Sequence, residues 1–455
     1  MPLPNRTRLM ARSAHFSVRR SRLVVLAVAV AALSSVWATG RPAAASQAPG
    51  TPYVNWSAFF GYGDLAFVSL GDLYVLNGTG GQLVNVTGPG RAASDPEFSP
   101  NGEWLIYETG QGETYWLARA DGLGSEKLPG AASWLPNGQL AVSNPTSTST
   151  FSVTGNEALE RTGGSAEACA VSAGRSVTYV FVTSTLRVHL PEASRGVERV
   201  ETAPSPNGRR TFWYGTRVSF TAAGGLEGTF VGNVSVLPSH RGLVLTISDY
   251  CCDCADGQDF YELRSPLGRP QLLGVVLNSS AVPTFGPDGT FAFEGGGDRY
   301  AWVSKHVELC VGATAICTNL PAPKGELSIS PAWSPDQRTL ALVEARAEPE
   351  GAIGQPQILQ WYATHHLYLL PEGSNRPVEV PHTQGAATPV WSANSQSLLY
   401  VDDDTLYLLA HVGSAPVEVA GPLFAPDSWT GYFGDIAWAR QFAWSQAATP
   451  QHPAD

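Results

Sequence analysis

Three of the six cysteines crowd one short stretch, Cys251-Cys252-Asp253-Cys254, and the acids Asp249, Asp256, Asp259 and Glu262 surround it, with Gly257 near the centre. Thiolates that close could hold copper or zinc. Acids spaced about a glycine could hold calcium. Both chemistries have plainer counterparts. The nearest histidine is His240, and no second Cys-x-x-Cys pair completes a zinc set. The acids depart from the Asp-x-Asp-x-Asp-Gly spacing and place cysteine where a ligand oxygen belongs. The pattern therefore predicts a solvated acidic loop stapled by one disulfide, with Cys169 as the distant partner. A calcium or soft-metal site on Asp253, Asp256, Asp259 and Glu262 is the lesser expectation, and no other cofactor is expected. Cys310 and Cys317 flank six residues, which two neighbouring strands could close with a second disulfide.

Other chemistry is sparse. No Gly-x-Ser-x-Gly elbow occurs, and Gly295-Gly296-Gly297 lacks the following Lys-Ser/Thr of a phosphate loop. His365 and His366 adjoin on a strand, so their side chains should diverge to opposite faces. Asp402-Asp403-Asp404 lies between two apolar runs and should cap a hairpin. Asn55, Asn77, Asn85, Asn233 and Asn278 each open an Asn-x-Ser/Thr sequon, meaningful where the host glycosylates exported chains.

The elements that must carry these residues come from a repeat. Pro96-Glu97-Phe98-Ser99-Pro100-Asn101-Gly102, followed by Trp104-Leu105-Ile106-Tyr107, is echoed by Pro331-Ala332-Trp333-Ser334-Pro335-Asp336, by Pro389-Val390-Trp391-Ser392-Ala393-Asn394 and by Pro283-Thr284-Phe285-Gly286-Pro287-Asp288-Gly289. Shorter copies stand at Trp134–Val142 and Pro204–Tyr214, and weaker ones at Cys169–Phe181 and Val236–Ile247. Pro with Asn/Asp-Gly gives a tight turn between two strands, glycine taking the positive φ. Third strands such as His366-Leu367-Tyr368-Leu369-Leu370 and fourth runs such as Pro377-Val378-Glu379-Val380 complete a four-stranded unit. Marker positions 100, 136, 173, 206, 238, 287, 335 and 393 are separated by 32 to 58 residues, so the later units carry insertions.

This pattern, Pro-x-Trp/Phe-Ser-Pro-Asp/Asn-Gly with a following Leu-Tyr-x-Leu strand, resembles the TolB-type (WD40-like) propeller repeat. It is also similar to the propeller domains of prolyl-oligopeptidase-like enzymes, although no segment remains for a hydrolase domain. The resemblance runs from about Tyr53 to Ser445. It implies an all-β fold, a single β-propeller of four-stranded blades, with eight the best count and seven next. Tyr62–Phe67 and Phe433–Trp438 echo each other, which suggests that the C-terminal segment pairs with the first blade and seals the ring.

The flanks read differently. Arg6, Arg8, Arg12, Arg19, Arg20 and Arg22 precede the apolar run Leu23–Ala38, then Ala43-Ala44-Ala45 before Ser46. A basic, then apolar, then small-residue order describes an export signal, with cleavage expected after Ala45. Arg19-Arg20 fits a twin-arginine signal poorly, since Ser21-Arg22 follows. An uncleaved anchor would be the one route to a membrane. The expected organisation is 1–45 signal segment, 46–52 linker, 53–445 propeller and 446–455 disordered tail.

Composition bounds the function. The chain carries 28 Lys and Arg against 39 Asp and Glu, a net charge of −11, which argues against nucleic acid as partner. The sequence thus predicts an exported, monomeric, non-catalytic propeller of the periplasm, cell envelope or extracellular space, binding a protein, peptide or glycan. The alternative is a propeller hydrolase, lyase or lactonase with a metal or His/carboxylate site in the central channel.

Overall fold

In the computed structural model, each of the turn motifs at 100, 287, 335 and 393 joins the first two strands of an antiparallel sheet. The structure describes residues 51–110, 114–134, 138–143, 148–153, ten strands between 160 and 276, and residues 283–296, 304–311, 316–347, 355–423 and 436–445.

The motif serine is a hydrogen-bonding hub. Ser392 Oγ donates to Asn394 Oδ1 at 2.7 Å and accepts the Ser397 N–H at 2.9 Å, so one hydroxyl fixes both arms of the turn. Ser334 does the same with Asp336 and Thr339, and Ser99 with Asn101 and Trp104. The seventh sheet has Gly286 in that place. A Cβ there would lie 2.5 Å from the Trp333 ring of the next sheet, so the serine gives way to packing, and Thr290 Oγ1 is left buried without a partner. Ser392→Ala strands the Ser397 amide, and we expect a loss of about 1–2 kcal/mol in urea unfolding. A loss under a few tenths would mean that water replaces the hydroxyl.

The motif's first proline has another task. Asp95, Ser330 and Thr388, each just before that proline, adopt φ of 51°, 52° and 51°. Each marks a bulge in the first strand, between Ser94 and Glu97, Ile329 and Ala332, and Ala387 and Val390. The proline lacks an N–H and sits where the ladder is interrupted. Two residues on, the motif tryptophan reaches back one sheet: Trp391 Nε1 donates to Ala332 O at 2.9 Å, and Trp134 Nε1 to Glu97 O at 3.2 Å.

Both faces of the second strand are buried, which is why it reads as a continuous apolar run. In Thr339–Arg346, Leu340 and Leu342 pack with Ala292, Val307 and Leu370 towards the seventh sheet. Ala341 packs with Leu398, Tyr400 and Trp391 towards the ninth. The first strands of the seventh, eighth and ninth sheets touch in succession, as do the closing strand Phe442–Trp444 and the first strand of the second sheet, which puts first strands at the ring axis and fourth strands at the rim.

The described strands form nine sheets, one more than the eight turn motifs. Eight sheets each correspond to one motif. The remaining sheet, the first in chain order, joins the chain ends: Phe442–Trp444 pairs with Asp64–Ser69, setting Leu65 opposite Trp444, Ala66 opposite Ala443 and Phe67 opposite Phe442. Its first two strands have no turn between them, so counting turns misses it. The C-terminal segment does pair with the first sheet, as expected, but through Phe442–Trp444 rather than the echo at 433–438. Within that echo, Ile436 and Trp438 are buried parts of the connection that leads to the closing strand.

The N-terminus supplies a second latch. Tyr53–Val54 adds a fifth strand to the last sheet, opposite Gly421 and Ala420. The short helix α1 (Trp56–Phe59) follows, capped by Asn55 Oδ1. The sequon residues Asn55, Asn77 and Asn85 all spend their side-chain oxygens on local turns or caps. Across the seam, Arg440 Nε donates to Asp95 Oδ2 at 2.6 Å, and its Nη2 reaches Glu108 Oε2 at 3.3 Å on the second sheet.

Candidate functional site

The insertion announced by the widest motif gap builds the site. Between the strands Thr339–Arg346 and His366–Pro371 lies helix α2 (Gln355–Tyr362), with Pro356 near its start. Ile358, Trp361 and Tyr362 recur at helical spacing; Ile358 and Trp361 are buried in the seam core and Tyr362 packs against it. Trp361 Nε1 donates to Arg346 O at 2.8 Å, and Thr364 Oγ1 bonds Trp361 O at 2.7 Å, fixing the helix end.

Beside α2 opens a cavity of about 490 Å³. Four separate segments wall it. Leu359, Gln360, Tyr362 and Ala363 come from α2 and its end; Gln384 and Gly385 come from the connection between the eighth and ninth sheets. Val401, Asp402 and Asp403 come from the ninth sheet's second strand and the turn after it, and Ile436 and Trp438 from the closing connection. Tyr362 OH accepts the Ile436 N–H at 2.9 Å, tying the helix to that connection. Gln384 Nε2 donates to Ala363 O at 3.0 Å.

The carboxylates are held by backbone geometry. Asp403 and Asp404 have φ of 42° and 65°, as a two-residue type I′ hairpin requires, and Asp402 pairs with Thr405 across the turn. The acidic triplet therefore does cap a hairpin, and it also presents two of its members to the cavity. Gly385 has φ +89°, and a Cβ on it would lie 2.1 Å from Asp402 Oδ1. Only glycine lets that carboxylate sit there. Burial raises the Asp404 pKa, and the neighbouring Asp403 charge adds to this.

His365 lies beneath the wall. It is 1 % exposed, between the Trp361 and Tyr362 rings, with Nδ1 3.3 Å from Ala386 O and Nε2 without a partner. Burial pushes its pKa down to about 3, the Ala386 carbonyl opposing this, so it is neutral at pH 7. His366 turns the other way to Glu379, 3.2 Å distant, so the pair diverges as expected.

Three other buried charged side chains are engaged within the fold. Glu294 and Lys305, 6 % and 2 % exposed, lie 3.5 Å apart, and Glu294 also accepts the Ser330 N–H. Glu344 is 3 % exposed; burial, then the charge of Glu326, raises its pKa to about 7, while a hydrogen bond from Tyr368 opposes the rise.

The residues singled out around Cys251 fare differently. Cys169, Cys251, Cys252, Cys254, Asp249, Asp253 and Asp256 lie outside the described residues. Asp259 and Glu262 belong to the strand Gln258–Leu263, not to a loop. Glu262 pairs with Val244 and Gln271 and is 1 % exposed, so the expected acidic loop stops before it. Phe260 and Glu262, two residues apart on that strand, are both buried. Cys310 and Cys317 face each other on adjacent strands and form a disulfide. Among the described residues, no three His, Cys, Asp or Glu come together closely enough to share a metal. Sequence reasoning missed Gln360, Tyr362, Gln384 and Trp438; only the 58-residue gap between the last two motifs pointed at the insertion that carries Gln360 and Tyr362.

No family model matches the chain, and no curated protein does. Solved structures similar to it include a eukaryotic initiation factor, 13% identical, covering 80% of this chain and 97% of that one, with a TM-score of 0.43. The putative TolB from Agrobacterium tumefaciens is 12% identical over 78% of this chain and 87% of its own, with a TM-score of 0.35. An oligogalacturonate lyase from Vibrio parahaemolyticus is 12% identical over 78% and 85%, with a TM-score of 0.41. Likenesses this distant join proteins of unrelated activity, so they carry nothing about function. The strand order itself makes the chain a β-propeller.

Proposed function

We propose that the chain is an exported, non-catalytic binding propeller for a protein, peptide or glycan, with the cavity beside α2 as its ligand site. The observation that carries this is the cavity itself: about 490 Å³, walled by four chain segments, with two carboxylates and two amides set among aromatic and aliphatic side chains. A concave, largely apolar site with a few placed polar groups is how rigid scaffolds take ligands. Export is supported by the basic, apolar and small-residue order of the first 45 residues and by the Cys310–Cys317 disulfide, which suits an oxidising compartment. The test is parallel affinity capture from an envelope or culture fraction with residues 46–455 and with an Ala363→Trp variant that fills the cavity. A partner held by the first and lost by the second supports the proposal. Equal enrichment by both moves the site elsewhere, and no enrichment over an unrelated propeller removes the binding reading.

A further inference from the structure

Glu344 is a buried carboxyl group with acids for neighbours. It lies on the second strand of the eighth sheet, opposite Ser328 of the first strand (Glu326–Trp333) and His366 of the third. It is 3 % exposed, and Leu342 and Leu340, two and four residues back, face the seventh sheet, so strand alternation turns Glu344 to the same side. The Tyr368 hydroxyl donates to the carboxyl, yet Oε2 is buried with no partner. Burial and then the Glu344 charge push the Tyr368 pKa up to about 12, so that hydroxyl stays a donor. Glu326 on the first strand and Glu379 on the fourth (Val378–Glu379) both oppose ionisation of Glu344. The nearby cations are placed elsewhere. His366 lies 3.2 Å from Glu379, and Arg346 stands opposite Glu326 in the ladder. On the seventh sheet, Lys305 is 3.5 Å from Glu294 and His306 is 3.1 Å from Glu308. An ionised Glu344 would thus have one donor and two acids beside it in a buried place, a cost the neutral carboxyl escapes. The element that can relieve this is the fourth strand. It is two residues long, Val378 is 61 % exposed, and Glu379 stands opposite Tyr368.

We infer that Glu344 is a proton-operated switch for the rim of the eighth sheet. With the carboxyl neutral, the strand Val378–Glu379 stays paired with the third strand. When the carboxyl ionises, the fourth strand and Tyr368 part from it and water reaches Glu344. The open state ionises as an ordinary glutamate does, near pH 4.5, and the closed state only near pH 7. Opening therefore grows as pH rises from 4.5 to about 7 and levels off above that. The switch neither uses nor requires the cavity beside α2.

Hydrogen–deuterium exchange of residues 46–455 at pH 5 and pH 7.5, corrected for the intrinsic rate at each pH, tests this. The amides to follow lie in 366–371 and 377–381, among them Val380, which donates to Leu367 O at 2.8 Å. Their opening is compared with that in Glu344→Gln, which cannot ionise, so the opposite acid response of His365 cancels. The ratio of wild-type to variant opening should rise at least about tenfold between the two pH values. In the seam strand 64–69 the ratio should change by less than about twofold. Glu326→Gln, an exposed change that removes one neighbouring charge, should move the levelling-off to lower pH, and it decides the matter if Glu344→Gln does not fold. A ratio that stays constant with pH overturns the inference. So does an equal rise in 64–69, which would mean opening of the whole ring, or a levelling-off that Glu326→Gln leaves in place.

Discussion

Trp444→Ala is expected to cost about 3–5 kcal/mol of stability, the range for removing a large buried aromatic ring. Trp444 belongs to the strand that closes the ring. It is 5 % exposed, its Nε1 donates to Tyr62 O at 2.6 Å, and its ring centre lies 6.0 Å from that of Phe59. Its side chain fills the seam core together with Leu65, Phe67, Leu399 and Val401, residues drawn from both ends of the chain. The loss therefore falls on the closure rather than on one hairpin. Urea unfolding of residues 46–455 and of the variant measures it, with Leu123→Ala as a control, since Leu123 is 79 % exposed and should shift stability by under about 0.5 kcal/mol. A loss below 1 kcal/mol for Trp444→Ala would mean that the C-terminal strand adds little to the ring.

His365→Asn should remove a defined part of the acid sensitivity. In the unfolded chain this imidazole takes a proton near its ordinary pKa of 6.5; in the folded protein, burial holds protonation off until about pH 3. Between those values the unfolded state binds more protons, so stability rises with pH and is lost as pH falls. From pH 7 to pH 5 the loss from this one group is about 2 kcal/mol at 1.4 kcal/mol per pH unit. Glu344 works in the opposite direction. Its pKa is raised to about 7, so its contribution is greatest below pH 4.5 and is lost as pH rises through 7. The informative quantity is thus a difference between proteins. Asn retains an N–H donor for Ala386 O, and the variant's stability should fall about 2 kcal/mol less than the wild type's over that interval. Equal slopes in both would show that His365 is protonated in the folded state, or that acid opens this region before the rest.

The repeat was legible because each part of the turn has a physical task that few residue types perform. A serine hydroxyl bridges the arms, the residue after the Asn/Asp takes positive φ (Gly102, Gly289, Gln337 and Ser395), Trp134 and Trp391 donate to the sheet behind, and a proline marks a bulge. The expected divergence of His365 and His366 and the hairpin at Asp402–Asp404 followed from strand period and turn chemistry alone. The first sheet, which the two ends of the chain build together, was not legible in the same way. Its strands come from residues 64–85 and 442–444, so no local turn announces it. Likewise Glu262 was read with the acids that precede it, because Asp259-Phe260-Tyr261-Glu262 does not alternate polar with apolar and so does not announce a strand. The cavity was hidden for a different reason. Gln360, Gln384, Asp402 and Trp438 are ordinary residues in ordinary places, and they meet only because α2, a glycine and the closing connection converge. A cavity assembled from four segments has no spacing in the sequence.

The ring closed by its own two ends is the claim on which the rest depends, because Ile436 and Trp438 wall the cavity only if the closing strand is in place. Hydrogen–deuterium exchange of residues 46–455, read by mass spectrometry, tests it most directly. Val68 donates to Gln441 O and Ser445 to Asp64 O, both at 2.8 Å. Peptides spanning 64–69 and 436–445 should therefore be among the slowest to exchange and should open together, as one cooperative unit. Rapid exchange of 436–445 while 64–77 stays protected would contradict the closure, and with it the cavity's fourth wall.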